Sequence, residues 1–119
     1  MYYALLIYGA EGVFDRLSPE EQARVMKKHD ELQSHLKARG AFGSTAQLMA
    51  TSTAVSLRRH GDEVVVLDGP YAETKEQFLG LYLIKANNLE EAIAAGKLLP
   101  FDFWGAEIRP IQWLAGGPI

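Results

Sequence analysis

The chain has 119 residues, no cysteine and a net charge of −3, with 48% apolar and 23% charged residues. Those are ordinary values for a globular protein with room for one core, so residues 1–119 read as a single domain. The missing cysteines exclude a disulfide framework, a thiolate nucleophile and a cysteine zinc site. Lys27-Lys28 and Arg58-Arg59 are the only adjacent basic pairs, too little for the basic face that nucleic acid requires.

Tyr2 to Tyr8 is a continuous apolar run, the mark of a strand buried on both faces, and it is far too short to span a bilayer. No basic-plus-apolar leader is present, and the expectation is a cytoplasmic protein without membrane partners. Gly9 to Leu17 reads as a loop with Val13-Phe14 tucked onto the core. Ser18-Pro19-Glu20-Glu21 is a helix start: Ser18 as N-cap, Pro19 in the first helical position, Glu21 closing a capping box. Gln22, Val25, His29, Leu32 and Leu36 then recur on one helical face, widened by Met26, up to a stop at Gly40.

Ala41 to Ser52 is small, polar and weakly patterned, with a short strand expected at Gln47 to Met49. Thr53 to His60 and Glu63 to Leu67 flank the turn dipeptide Gly61-Asp62 and predict a hairpin. Asp68-Gly69-Pro70 is a turn by mechanism: Asp bonds to backbone ahead of it, Gly admits positive φ and Pro fixes φ. Phe78 to Ala86 is a second continuous apolar strand. Asn88 to Glu91 opens a short helix with Leu89, Ala92, Ile93 and Gly96 inside, ended by Pro100, and an aromatic loop follows. Ala106 to Leu114 is a last strand, placed at an edge because Pro110 cannot donate to a ladder.

The order is β-α-β(hairpin)-β-α-β, an α+β chain of ferredoxin-like βαββαβ type with an extra hairpin. That arrangement sets the first and third core strands in the middle of the sheet, and these are the two apolar runs. Two helices cover only one face of such a sheet. The other would leave Leu, Ile and Tyr side chains in water, which predicts a homodimer with sheets packed face to face; loops folded over that face are the alternative.

Candidate chemistry is sparse. His29 lies on the buried stripe of the first helix, either as a general acid or base kept neutral by burial or as a core histidine bonded to backbone. Asp68 either orients His29 or caps its own turn. Glu73 and Lys75 line a pocket mouth or form, with Thr74, Glu76 and Gln77, a solvated loop containing a helical turn. Arg58 and Arg109 are strand arginines able to clamp a carboxylate. Tyr3, Tyr8, Tyr82, Phe101, Phe103 and Trp104 wall an aromatic cavity or are plain core. No metal-ligand spacing, dinucleotide fingerprint, P-loop or nucleophile elbow is present, so neither a metal nor a cofactor is expected.

Asp68-Gly69-Pro70-Tyr71-Ala72-Glu73-Thr74-Lys75-Glu76-Gln77 followed by Gly80-Leu81-Tyr82-Leu83-Ile84 resembles the DGPF signature of the YCII-related superfamily, with Tyr71 where that family usually has Phe. The Tyr-rich first strand, Ser18 to Glu21 and Glu107-Ile108-Arg109-Pro110 extend the resemblance over nearly the whole chain. It implies a dimeric α+β barrel of ferredoxin-like units. Most of the family is uncharacterised; some members are fused or linked to extracytoplasmic-function sigma factors, and one relative is a dehydrochlorinase acting on a chlorinated hydroxyhydroquinone. Related YCII proteins carry a His–Asp active site whose histidine stands eleven residues before a helix-ending Gly, as His29 stands before Gly40. Asp68 is the candidate partner on chemistry. The resemblance leaves two functions open: a small-molecule enzyme or binding protein, and a non-catalytic regulatory module.

Overall fold

The computed structural model describes residues 1–116. In chain order the elements are β1 (Tyr2–Gly9), α1 (Val13–Arg16), α2 (Pro19–Ala38), β2 (Phe42–Gln47), β3 (Val55–His60), β4 (Glu63–Asp68), β5 (Gln77–Lys85), α3 (Leu89–Gly96) and β6 (Trp104–Pro110), with a 3₁₀ turn at Thr51–Thr53. The main sheet is antiparallel with strand order β2-β5-β1-β6. The two continuous apolar runs therefore take the central positions, and the Pro110 strand is an edge. Both follow from burial and from the missing proline N–H. The architecture is α+β, compatible with a ferredoxin-like unit.

Helix α2 begins as its sequence dictates. The Ser18 side chain accepts from the Glu21 N–H, and the Ser18 N–H donates to the Glu21 carboxylate at 3.1 Å. It ends in a Schellman pair: Ala41 N–H to the Leu36 carbonyl at 2.8 Å and Gly40 N–H to the Lys37 carbonyl at 3.1 Å. Val25, Leu32 and Leu36 are buried and His29 half-buried, but Met26 is exposed, so the stripe is narrower than its spacing suggests. In α3, Ala92, Ala95 and Gly96 face inward while Leu89 is exposed. Arg39 at the end of α2 pairs with Glu91 at the start of α3 at 3.4 Å.

Leu32 and Leu36 from α2 and Ala92 and Ala95 from α3 meet Tyr3, Leu5, Tyr82 and Ile84 in one core. Both helices thus lie on one face of the sheet. The alternate residues Ala4, Leu6, Tyr8, Leu81 and Leu83 point to the other face and are half-buried.

Three local expectations need correction. The region Ala41 to Ser52 contains a full strand at Phe42–Gln47 rather than a short one at Gln47 to Met49. Edge pairing to β5 supplies what the small polar residues do not advertise. The segment from Gly9 to Leu17 holds a single helical turn, and nearby Glu11 accepts hydrogen bonds from the Thr51 N–H at 2.7 Å and from its hydroxyl, pulling the Glu11 carboxyl below its usual range. Thr74 to Gln77 is not helical: the Thr74 hydroxyl donates to the Glu76 carbonyl and the Gln77 amide to the Thr74 carbonyl.

The hairpin β3–β4 forms as predicted, but as a separate two-stranded sheet. Cross-strand pairing sets Val55, Leu57, Val64 and Val66 on one face, and these are 63%, 60%, 65% and 65% exposed.

Candidate functional site

His29 is carried by the middle of α2, on the flank that faces β5 and β2. Its Nδ1 stands 2.7 Å from the hydroxyl oxygen of Tyr82, with the two ring planes within 4° of parallel. Tyr82 is a central-strand residue, only 1% exposed. Gln33, one turn beyond His29, donates its side-chain N–H to the same oxygen at 3.4 Å. The Phe42 ring lies 6.3 Å from the Tyr82 ring, and the Lys37 ammonium stands 5.6 Å from the centre of the Phe42 ring. His29, Gln33 and Lys37 recur every four residues, so one helical flank delivers all three.

Burial sets the electrostatics. It lowers the His29 pKa from the ordinary histidine value, against a smaller opposing pull from the Asp30 carboxylate. It raises the Tyr82 pKa, only partly offset by the polar side chains of Gln33 and Thr45 nearby. The pair is therefore neutral near pH 7 and binds through a hydrogen bond rather than through charge.

Asp68 is elsewhere. It is exposed at the end of β4, across from Val55 in the hairpin ladder, and among the described residues its side chain has no hydrogen bond or ion pair. His29 is bonded to Tyr82 instead. The turn at Asp68 is held by other groups: the buried Ser56 hydroxyl donates to the Gly69 carbonyl at 2.7 Å, and the Gly69 N–H donates to the Ala54 carbonyl. Gly69 takes a φ of 99°, as the turn requires.

Arg58 and Arg109 are both engaged within the chain. The Arg58 guanidinium sits 3.9 Å from the centre of the Tyr71 ring and donates to the Tyr71 carbonyl, fastening the loop to the hairpin. Arg109 donates to Glu107 at 2.7 Å. Glu73 and Lys75 are exposed in the loop, with no side-chain hydrogen bond or ion pair among the described residues.

Two depressions of the described surface stand away from His29. A groove of about 260 Å³ runs between the first half of α2 and the aromatic loop, lined by Arg24, Lys28, Lys97, Phe101 and Phe103 among others. An open hollow of about 510 Å³ lies beside Tyr8, Glu76 and Glu107. Neither is lined by His29 or Asp68. Among the described residues no three His, Cys, Asp or Glu side chains gather where a metal could be held. No helix there is long and apolar enough to cross a membrane.

His29 and Tyr82 are both residues that the sequence singles out, whereas Gln33, which bonds the same hydroxyl, is not. The available signal was spacing: a polar residue four beyond His29, on the flank of an otherwise apolar face.

Residues 1–114 match the family model of the YCII-related domain. An uncharacterized protein of Rhizobium meliloti (strain 1021) is 44% identical over 93 residues, covering 78% of this chain and 75% of that protein.

Proposed function

The chain belongs to the YCII-related family, and from that premise we propose that it is a cofactor-free small-molecule-binding protein or enzyme with His29 at its polar centre. The 2.7 Å contact between His29 and Tyr82 carries the reading. If packing alone governed this position, between the buried Val25 and Leu32, an aliphatic side chain would serve. An imidazole there introduces two polar nitrogens, one tied to Tyr82 and the other without a partner among the described residues. Asp68 at the end of β4 and Glu73 and Lys75 in the loop after it are exposed and are not partners of His29. Arg58 and Arg109 hold the loop and the sheet edge in place.

The assembly we propose is a homodimer through the open sheet face. Leu6, Leu81 and Leu83 lie there without helical cover, and the face carries both Glu107 and Arg109. Those two pair with each other within the chain, so neither brings an unpaired charge against a two-fold copy of the face.

The test is NMR of the His29 ring during titration with a panel of phenolic acids. Saturable displacement of its signals by at least one of them is expected; no movement with any ends the reading. In Asp68→Asn the His29 pH titration should be unchanged, because Asp30 is the carboxylate whose charge acts on the imidazole. A displaced profile would restore the His–Asp pair.

A second reading rests on the hairpin. Two strands alone are marginal in water, and an apolar face of Val55, Leu57, Val64 and Val66 is a place for a protein partner. That favours a non-catalytic interaction module of the kind associated with sigma factors. Loss of partner capture in Val64→Lys, with the His29 ligand response intact, would select it.

A further inference from the structure

We propose that Tyr82 holds His29 as its Nε2–H tautomer, so that the site presents a hydrogen-bond donor and takes its ligand through an anionic oxygen, a carboxylate or an enolate. The inference rests on the reading of His29 as a ligand-facing group and deepens it by naming the ligand's chemistry.

Tyr82 is 1% exposed, so its O–H must find an acceptor inside the protein. Its hydroxyl oxygen has two hydrogen-bond neighbours, Nδ1 of His29 at 2.7 Å and Nε2 of Gln33 at 3.4 Å. The amide nitrogen of Gln33 has hydrogens to give and no lone pair to offer, so there the tyrosine oxygen is the acceptor. The cross-strand neighbour Thr45 gives its own hydroxyl proton to the Leu81 carbonyl at 2.9 Å. Of the two groups within hydrogen-bond distance of that oxygen, Nδ1 of His29 is the one able to accept the tyrosine proton.

The consequence follows from imidazole chemistry. A neutral ring has one hydrogen, and a nitrogen that accepts a hydrogen bond does not carry it. The hydrogen sits on Nε2. The opposite tautomer would send Nδ1–H toward an oxygen already receiving Gln33 and would strand the buried phenolic proton. Burial disfavours charge on both rings, which keeps the pair in this neutral state. His29 is then a donor in its resting form, suited to polarising or binding an oxygen rather than to removing a proton.

The surroundings select the same ligand. Along the flank of α2, the Gln33 amide and the Lys37 ammonium follow His29 at one-turn intervals, and both are donors. Phe42 supplies an apolar wall beside Tyr82. Asp30 is the carboxylate that acts on this pair, raising the pKa of both groups. An oxyanion at Nε2 of His29 meets one donor directly, with the Gln33 amide one turn on and the Lys37 charge about 12 Å along the helix, against the like charge of Asp30. An ammonium ligand meets the reverse.

The test is a long-range ¹H–¹⁵N correlation spectrum of the labelled full chain, taken well above the ordinary histidine range so that His29 is neutral. For the native chain, Nδ1 should show the unprotonated type of shift and Nε2 the protonated type. In Tyr82→Phe both nitrogens should move toward the averaged values of mixed tautomers, and Gln33→Leu, which leaves the tyrosine in place, should keep the native pattern. Benzoate should then displace Nε2 and its proton saturably, while benzylamine at equal concentration should not. A protonated Nδ1 in the native chain overturns the tautomer. A benzylamine response as large as that of benzoate overturns the ligand class. Silence toward both ligands with the tautomer as stated rejects His29 as a ligand-facing group, the reading underneath, and the ligand class with it.

Discussion

His29 and Tyr82 illustrate how one hydrogen bond changes the chemistry available to a side chain. In the unfolded chain the imidazole protonates near its ordinary value of about 6.5; in the folded chain burial delays protonation to lower pH. Between those two points the unfolded state binds more protons, so stability falls as the pH drops below the ordinary histidine range. Thermal unfolding of the native chain and of His29→Gln across that window should show the native chain losing more, since the variant lacks this group. Tyr82→Phe keeps the ring and removes one buried hydroxyl with its bonds to His29 and Gln33. We expect it to cost about 1 kcal/mol in denaturant unfolding, with the fold unchanged. His29 itself was legible from its place in the apolar stripe. Its partner was not, because a strand residue 53 positions away becomes a neighbour only when the sheet forms.

The elements differ in how plainly their residues announce them. Helix α2 follows from Ser18, Pro19, Glu21 and the stripe that Gly40 ends, because capping and periodicity act within a few residues. Strand β2 is the contrary case. Phe-Gly-Ser-Thr-Ala-Gln has weak strand preference and takes that form by pairing with β5 along its edge. Gly80 is a point of close approach in that pairing: a Cβ there would lie 2.6 Å from the Ala46 carbonyl oxygen. Gly80→Ala must push backbone apart, and a loss of about 1–3 kcal/mol is expected from overpacking, read as a lowered urea midpoint. The Asp-Gly-Pro turn was equally legible as a turn, but not its fastening. Ser56 and Arg58 do that from the neighbouring strand, where the sequence suggested Asp68.

At the scale of the molecule, the helices occupy one face of the sheet and leave half-buried leucines on the other, and the hairpin extends a chain that measures 49 × 39 × 22 Å. The proposed dimer predicts sedimentation as a pair at micromolar concentration. Leu83→Lys, on the open face between Ala4 and Ser44, should sediment as single subunits with an unchanged circular dichroism spectrum. Native chains that already sediment singly would remove the dimer, and with it any cavity closed by a second copy.

The amino-acid sequence by itself determined the α+β class, the central pair of strands, the boundaries of α2, the edge placement of the Pro110 strand and the family, because burial periodicity, capping and proline chemistry operate over short spans of chain. Only the tertiary structure decided what His29 touches, where Asp68 stands and how the loop after β4 is tied. Those depend on which strands become neighbours, and a hydrogen bond between groups tens of residues apart leaves no local pattern to read.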